Sequence, residues 1–404
     1  MSDLNTTIRQ LAERHRSFYI YRQSMIEDNI RTLKNSFRNA QFLYSVKTNP
    51  FEPVLKTVVR QGLGFDAASL NEVLMGEKLG LAMDKIYYSA PGKTRDDIVG
   101  AAGRAIITAD SLHELEMLQS VAKETGKKLD IGIRINPDFT LGSDSGVSSK
   151  FGIDIDILKD NIQWIDSLDK LNITGIHVHS RSQELNRHTL AHYYENMLKL
   201  AVFVKENLAP GLKFVNMGGG LGIPYSPGQR PLDIHSLGQT FDDMAEKFLE
   251  QIPGVKIFIE SGRYIVGKAG TYVTTVLDKK VSMGKTYVIL HNTLNGFIRP
   301  SLAMLVESYA NDNLFPSEPL YTQKDAFEFS APFSDGEAES VTLCGNLCTA
   351  TDVVAKDILL PALKPEDIIT ISNAGSYAAV LSPMQFASLP APAQIFFTSD
   401  GLIK

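Results

Sequence analysis

The sequence predicts an α/β fold: a parallel, TIM-like (β/α)₈ barrel followed by a mainly antiparallel β domain. Short β-type runs alternate with stretches of helical spacing about eight times over roughly 230 residues, which is typical of such a barrel. Near residue 265 the composition changes to β-rich runs with few helices between them, which indicates a second domain. A doubly wound open sheet is the alternative interpretation of the first part.

The elements follow in chain order. The runs expected to form barrel strands are 41–46, 63–67, 85–89, 105–108, 130–135, 173–178, 213–217 and 256–260. The stretches with helical spacing are 51–61, 70–80, 95–103, 111–126, 155–168, 188–207 and 238–251. Ser111 and Glu114 have the spacing of a capping box at the start of one helix. We expect residues 25–264 to form the barrel, and residues 1–24 with 265–404 to form the β domain, into which FYIY (18–21) would pair.

Composition excludes several classes of protein. The 404 residues include 40 basic and 46 acidic side chains, a net charge of −6 without a basic tract, which argues against a nucleic-acid partner. No apolar run reaches the length of a membrane span, and the polar N-terminus lacks the apolar stretch of a signal peptide. Cys344 and Cys348 fit neither a disulfide scaffold nor a CxxC motif. We therefore expect a soluble cytoplasmic protein.

Polar residues gather at the predicted strand ends. The active site of a (β/α)₈ barrel is built where the strands end and the loops to the helices begin. The residues at these points are Lys47, Asp66, Ser69, Arg134, Asn136, His179, Ser182, Gly218, Gly219, Gly220, Glu260 and Arg263. Their shared position in the repeating unit predicts a single site.

Two of these positions suggest covalent and anion chemistry. Burial of Lys47 after the run YSV is expected to lower the pKa of its ammonium group and so favour the amine that forms a Schiff base; a solvated loop lysine is the alternative. The run GGGLG (218–222) offers backbone N–H groups to an anion, or forms only a tight turn. Together with Arg263 and Ser182 it predicts a phosphate site, and Ile223 breaks the dinucleotide-binding pattern.

A buried acid and two histidine pairs complete the set. Glu260 ends the apolar run IFIE and needs a partner, which could be Arg263 or a pyridinium nitrogen. His177 and His179 lie two apart on a strand, and His188 and His192 four apart on a helix, which resembles metal-ligand spacing. The helical pair should lie on the outer face of the barrel, so we predict no metal and expect His179 to stack on a ring.

An ordered series of motifs runs along the chain: YSVKTNP (44–50), GFDAAS (64–69), SKFGI (149–153), GIHVHSRSQ (175–183), GGGLG (218–222), ESGR (260–263), IRPSL (298–302), CGNLCTATD (344–352) and GSYAAVLSPMQF (375–386). With these motifs the chain resembles the fold-type III, pyridoxal-phosphate (PLP) decarboxylases, which include diaminopimelate, ornithine and arginine decarboxylases. It is most similar to the diaminopimelate branch and to its relatives in siderophore and antibiotic biosynthesis.

The resemblance implies a role for each matched residue. Lys47 would hold PLP as an imine, His179 would stack on its ring and Glu260 would keep the ring nitrogen protonated. The phosphate would be bound by Ser182, Gly220, Arg263 and Tyr377, and Gly218, Gly219 and Gly262 would also bind the cofactor. The pocket behind the ring would be lined by Asp66 and Arg134. Cys348 would act as the acid after carbon dioxide leaves. Because family members are usually head-to-tail homodimers, Cys348 and Asp352 would reach the cofactor of the partner subunit.

Three positions depart from the diaminopimelate pattern. Thr349 replaces a glutamate that reads the distal ammonium, Arg181 stands before Ser182 in place of a glycine, and Gly296 replaces an aspartate. Loss of acid and gain of base favour a specialised substrate with a carboxylate-rich distal part, such as a citryl-diaminopropionate type of siderophore intermediate. Residues expected to contact it are Arg181, His291, Arg299, Thr349 and Asp352. The alternatives are a meso-diaminopimelate decarboxylase, a non-catalytic regulatory homologue and an amino-acid racemase.

Overall fold

The computed structural model describes residues 4–309 and 325–401. Eight parallel strands form a closed barrel in which each strand pairs with the next in the chain and the last pairs with the first. The predicted barrel is therefore confirmed, and the open sheet is wrong. The barrel strands are Gln41–Ser45, Gly64–Ala67, Ile86–Tyr88, Ile106–Ala109, Leu129–Asn136, Leu171–His177, Phe214–Asn216 and Lys256–Ser261. The short strand Ile153–Asp154 pairs beside Leu129–Asn136.

Most helices surround the barrel and bury their apolar faces against it, whereas Leu4–Ala12 and Ile298–Tyr309 contact strands of the β domain. The α-helices are Leu4–Ala12, Gln23–Ser36, Glu52–Arg60, Leu70–Lys78, Arg95–Ala101, Leu112–Thr125, Ile155–Asp160, Ile162–Asp166, Arg187–Asn207, Ile234–Gln251, Arg263–Val266 and Ile298–Tyr309. Short 3₁₀ turns are Val46–Thr48, Met83–Lys85, Gly267–Ala269, Ala379–Leu381 and Phe386–Ser388. Within the described part of the chain, no helix combines the length and apolar character that a bilayer span requires.

The helix ends correct three predictions. Ser111 accepts the N–H of Glu114 as predicted, but the Glu114 carboxylate accepts N–H groups of Asp110 and Lys93, so the capping box is only half formed. The stretch 155–168 forms two helices that meet at residue 161. The helix expected from residue 238 begins at Ile234, because the Asp233 side chain caps it.

The β domain is a single mixed sheet of eight strands among the described residues. Its strands are Ser17–Arg22, Gly270–Ser282, Lys285–Leu290, Phe329–Ser330, Ala338–Gly345, Val353–Pro361, Ile368–Ile371 and Ala393–Phe397. Strand Ser17–Arg22 contains FYIY and, as expected, pairs into this sheet; it is antiparallel to Gly270–Ser282 and parallel to Ala393–Phe397. The sheet is therefore mainly, but not entirely, antiparallel.

Two features of the packing fix where a site can form. Tyr87 and Phe214 come from the third and seventh strands, and their ring centroids lie 5.0 Å apart, so apolar side chains fill the barrel interior. At the carboxyl ends of the strands the β domain reaches the barrel: Asn49 donates to the Gly375 carbonyl at 3.0 Å, and Tyr377 N–H donates to the Thr48 carbonyl at 3.0 Å. The segment around Tyr377 is thereby held beside the turn that carries Lys47.

Candidate active site

A narrow cavity opens at the carboxyl ends of the barrel strands. Nine of the residues predicted for catalysis or cofactor binding line it: Lys47, His179, Ser182, Gly219, Gly220, Glu260, Gly262, Arg263 and Tyr377. Sequence reasoning missed three further lining residues, Ser45, Leu221 and Ser261. Ser45 and Ser261 are the last residues of their strands, and Ser261 belongs to the ESGR motif, so the strand-end rule itself could have found them.

Lys47 lies in the 3₁₀ turn that follows the first barrel strand. Its ammonium is 3.4 Å from the carboxylate of Asp66, which is buried and also accepts a hydrogen bond from Ser89 at 2.8 Å. The negative charge of Asp66 raises the pKa of Lys47 above its ordinary value and outweighs the effect of burial. The prediction that the pKa of Lys47 is lowered is therefore wrong for this arrangement, because an acid on the next strand pairs with the amine.

Glu260 is the penultimate residue of the eighth strand and is almost completely buried. Its carboxylate accepts a hydrogen bond from Asn216 at 2.8 Å, and the same oxygen lies 3.1 Å from Nε2 of His177. Burial, with a contribution from Arg134, lowers the pKa of His177 well below its ordinary value, so the imidazole is neutral at pH 7. Glu260 therefore has one neutral hydrogen-bond donor, Asn216, and a neutral ring beside it, and its carboxylate is available to a cationic group in the cavity.

His179 presents a neutral ring to the cavity. The N–H of Gly219 donates to its Nδ1 at 3.0 Å, so this nitrogen is an acceptor. Burial lowers the pKa of His179 to about 4. An uncharged flat ring is the state required for stacking on an aromatic ligand. The glycine run thus orients His179 as well as lining the cavity.

Arg263 follows Glu260 and Ser261 into the same cavity, where its guanidinium lies 5.0 Å from the ring centroid of Tyr377. It also donates to the hydroxyl of Tyr225, which Arg299 contacts at 3.3 Å. Burial raises the pKa of Tyr225, but the two guanidinium groups outweigh it and lower the pKa to about 7. Tyr225 was missed from the sequence, although it lies three residues after GGGLG. Its oxygen adds a polar group that binds two cations.

The remaining predicted cofactor residues lie beside the cavity, outside its lining. Gly218 N–H donates to Asn216 at 3.0 Å, which ties the glycine run to the partner of Glu260. Arg134 is buried, lies 3.6 Å from Asp110 and stacks over Phe151. These contacts connect the SKFGI segment to the barrel. Asp66 does not line the cavity itself and influences it through its ion pair with Lys47.

The predicted acid and substrate residues are divided between two places. Arg181 lies near the cavity-lining Ser182, has an exposed side chain and pairs with Glu184 at 2.8 Å. Arg299 is fully buried and donates to the Ser376 carbonyl at 3.1 Å. Cys348, Thr349, Asp352 and His291 belong to the β domain and do not line the cavity of their own chain.

The histidines of the metal hypothesis lie apart. His177 contacts Glu260 inside the barrel, whereas His192, on the helix Arg187–Asn207, contacts Asp144 at 2.5 Å at the surface. Over the two described stretches, 4–309 and 325–401, no three metal-ligating side chains converge.

Comparison with known proteins identifies the family. Residues 23–267 match the pyridoxal-binding domain of the pyridoxal-dependent decarboxylases. The chain belongs to this family. It is 31% identical over 386 residues to an L-glutamyl-[BtrI acyl-carrier protein] decarboxylase of Niallia circulans, covering 94% of this chain and 88% of that protein. It is 32% identical over 378 residues to a diaminopimelate decarboxylase of Campylobacter jejuni, covering 90% and 87%.

Two more relatives complete the comparison. A 2-[(L-alanin-3-ylcarbamoyl)methyl]-2-hydroxybutanedioate decarboxylase of Staphylococcus aureus is 29% identical over 388 residues, covering 94% of each chain. The fold matches a crystal structure of diaminopimelate decarboxylase from Helicobacter pylori complexed with L-lysine, with a TM-score of 0.82, 24% identity and coverage of 98% and 95%. The protein is a PLP-dependent amino-acid decarboxylase, and neither the racemase nor the regulatory alternative is supported.

The cavity fits PLP in chemical terms. It offers an amine, a buried carboxylate, a neutral ring, a guanidinium and a glycine run within one enclosure. The hydroxyl of Ser261 is buried there without a hydrogen-bond partner in the described residues, so a polar ligand would satisfy it. When bound, PLP accepts the electrons of the broken bond between Cα and the carboxylate. The contribution of the chain is to hold that ring and to move protons around it.

Proposed function

We propose that this decarboxylase acts on the amino-acid head of a substrate whose distal part carries carboxylates and no free ammonium group. A citryl-diaminopropionate type of siderophore intermediate is the sharpest form of the proposal. Lys47, His179, Glu260 and Arg263 would hold the cofactor. Cys348 would donate the proton to Cα. The alternative substrate is meso-diaminopimelate.

The observation that carries the proposal is the replacement of two acids at the predicted substrate end. Thr349 stands where a glutamate would pair a distal ammonium, and its hydroxyl is hydrogen-bonded to Thr351 at 2.9 Å. Gly296 stands where the family carries an aspartate. A Cβ there would lie 2.3 Å from the hydroxyl of Tyr272 and 2.6 Å from the Asn292 carbonyl, so the packing excludes any side chain. A distal ammonium would therefore be buried without its usual partners, which costs several kcal/mol.

Arg181 is the best placed cation for a distal carboxylate. Its pair with Glu184 is exposed on the arginine side, and such pairs contribute little, so the guanidinium can exchange one carboxylate for another. His291 is a weaker candidate, because burial lowers its pKa and leaves it neutral at pH 7. Arg299 is buried against Tyr225, so it would need a change in packing to meet a substrate.

The relatives divide between diaminopimelate decarboxylases and decarboxylases of other substrates. The names of two of them specify a butanedioate substrate and a glutamyl group on an acyl-carrier protein, and neither name includes a distal ammonium. Others of similar identity are diaminopimelate decarboxylases. Overall sequence identity therefore does not distinguish the substrates. The side chains at the substrate end of the site must distinguish them.

We further propose a head-to-tail homodimer with shared sites. Cys348 is exposed on a turn of the β domain and lies outside the cavity of its own chain. If it is the acid, it must act in the cavity of a second copy. Each site would then combine the barrel of one subunit with the Cys348 turn of the other.

The test is carbon dioxide release from purified, PLP-loaded protein offered matched substrates. We expect the citrate amide of 2,3-diaminopropionate to be decarboxylated at least roughly tenfold faster, in kcat/KM, than meso-diaminopimelate, because a mispaired buried charge costs at least this much. Faster release from meso-diaminopimelate would overturn the proposal. A glutamyl-loaded carrier protein, tested in parallel, distinguishes the second specialised class.

Two variants sharpen the substrate test. Thr349→Glu should raise kcat/KM for meso-diaminopimelate and lower it for the carboxylate-rich substrate, because it restores the missing acid. Arg181→Gln should lower kcat/KM for the carboxylate-rich substrate by roughly tenfold and leave meso-diaminopimelate within about twofold. The matched control is Arg187→Gln, which removes a nearby charge at the start of the following helix.

A further inference from the structure

We infer that Asp352 is a positioning residue that fixes the turn carrying Cys348, rather than a substrate contact. The inference rests on the proposed role of Cys348 as the acid. Asp352 lies four residues after Cys348, at the end of the turn that joins Ala338–Gly345 to Val353–Pro361. It is 2% exposed, whereas Cys348 is exposed. A buried carboxylate on the same turn as an exposed thiol needs an explanation.

Three hydrogen bonds within the chain hold this carboxylate. One oxygen accepts the hydroxyl of Thr293 and, at 3.0 Å, the N–H of Leu294. The other accepts the N–H of Leu347 at 3.0 Å. Leu347 is the residue immediately before Cys348. Asp352 thereby ties the turn both to itself and to the loop that precedes the IRPSL helix.

The packing around Gly345 leaves room for this arrangement alone. A Cβ at Gly345 would lie 1.7 Å from the Thr293 hydroxyl and 2.1 Å from Asp352. The Gly345 N–H also donates to the Asp352 carbonyl at 2.9 Å, which closes the turn. Because Gly345 has no side chain, the hydroxyl of Thr293 and the carboxylate of Asp352 can meet in the space that a Cβ would occupy.

This geometry conflicts with a direct role in substrate binding. Two backbone N–H donors and a hydroxyl donor already occupy both oxygens of this carboxylate. To meet a substrate it would have to break those bonds and leave the two N–H groups unpaired in a buried place. Cys348 and Thr349, by contrast, are at least partly exposed on the same turn. Asp352 therefore fixes the conformation of the turn, while Cys348 and Thr349 at its tip are at least partly exposed and can contact another molecule.

The hydrogen bonds from Thr293, Leu294 and Leu347 to Asp352 are called the brace below. Hydrogen exchange, measured by mass spectrometry on the full-length, cofactor-free protein, tests whether the brace holds the turn. Asp352→Ala should accelerate exchange in peptides covering 345–353 and 291–297 by roughly tenfold or more, the loss expected for charge-assisted hydrogen bonds. Asp357→Asn is the control, since this exposed acid lies on the following strand, and it should leave both peptides unchanged. Unchanged exchange in Asp352→Ala would overturn the inference.

A conservative series guards against simple misfolding. Thr293→Val removes one donor and should produce an intermediate acceleration, whereas Thr293→Ser keeps the hydroxyl and should restore exchange to within about twofold of the original protein. If Thr293→Ser exchanges as fast as Thr293→Val, the hydroxyl does not contribute and the brace is wrong.

A double-mutant cycle tests whether the brace acts through the thiol. Carbon dioxide release is measured for Asp352→Asn, Cys348→Ser and the double variant. If Asp352 acts by placing Cys348, the double variant is no slower than Cys348→Ser; multiplying losses contradict the positioning role. The two proposals fail separately: an unaffected Cys348→Ser removes the acid, and the exchange experiment still judges the brace without any reaction.

Discussion

The barrel mouth and the Cys348 turn are built in opposite ways. At the mouth, each polar group follows a strand of a closed ring, and its partners stand at neighbouring strand ends: Lys47 with Asp66, and Glu260 with Asn216. At the turn, a single buried acid, Asp352, holds an exposed loop through residues 58 and 59 positions away in the chain. The mouth is enclosed within one chain, whereas the turn faces outward.

The difference separates chemistry from specificity. The closed ring of strands positions the cofactor-binding residues independently of the loop sequences. Members of the family can therefore use the same cofactor as the electron acceptor. Substrate-reading residues lie on loops and turns, which tolerate exchange of single side chains. Under the proposed function, Thr349 and Gly296 would be such exchanges. The barrel would then define the reaction class, and the loops of the β domain would select the substrate.

The largest expected effect tests whether the two regions belong to one site. Lys47→Ala and Cys348→Ala should each lose nearly all carbon dioxide release, because one lacks the amine and the other the acid. Equal amounts, unfolded and refolded together, should regain about a quarter of the original activity: half of the dimers are mixed, and each mixed dimer holds one intact site of two.

The complementation has a clear opposite result. If size-exclusion chromatography and mass spectrometry detect mixed dimers but activity stays at the level of the parents, the turn does not serve the second barrel. Lys47→Ala unfolded and refolded alone is the control, because it contains no mixed dimers and should regain no activity.

A smaller effect sharpens the account of the mouth. His177→Phe removes the ring that lies 3.1 Å from Glu260 and leaves Asn216 as its neighbour. We expect the Kd for PLP, measured by absorbance titration, to rise by about tenfold, the size of one lost polar contact to a buried charge. His177→Gln, which keeps a donor, should stay within about threefold of the original. Equal losses in both variants would indicate that His177 acts by volume alone.

The same contrast explains what the sequence could predict. Strand order and the residues that line the cavity follow from periodicity and from the strand-end rule, and Ser45 and Ser261 were within its reach. The raised pKa of Lys47 could not be predicted, because it depends on Asp66. This acid lies 19 residues away in the chain, and the sequence does not show how close its carboxylate comes to the Lys47 amine. The burial of Arg299 and the donors around Asp352 likewise depend on long-range packing, so only the motif, and not the role, could be read from those residues.

The final prediction concerns pH and the pair at Lys47. Because Asp66 raises the pKa of Lys47, the ion pair stabilises the cofactor-free protein fully below the ordinary lysine pKa of about 10.4 and loses this contribution only as the pH rises through the higher folded value. Stability between pH 6 and 9 should therefore not vary through this group, while the fraction of free amine rises about tenfold per pH unit.

Capture of PLP by the cofactor-free protein should follow that fraction. We expect the rate of the absorbance change on mixing to rise about tenfold per unit from pH 7 to 9, and Asp66→Asn to be up to about tenfold faster than the original at pH 7, because it removes the charge that holds the proton. Asp84→Asn, an exposed acid that pairs with Lys256, is the matched control. A rate that is flat with pH, or equal in the two proteins, would mean that deprotonation of Lys47 does not limit capture and that Asp66 does not govern it.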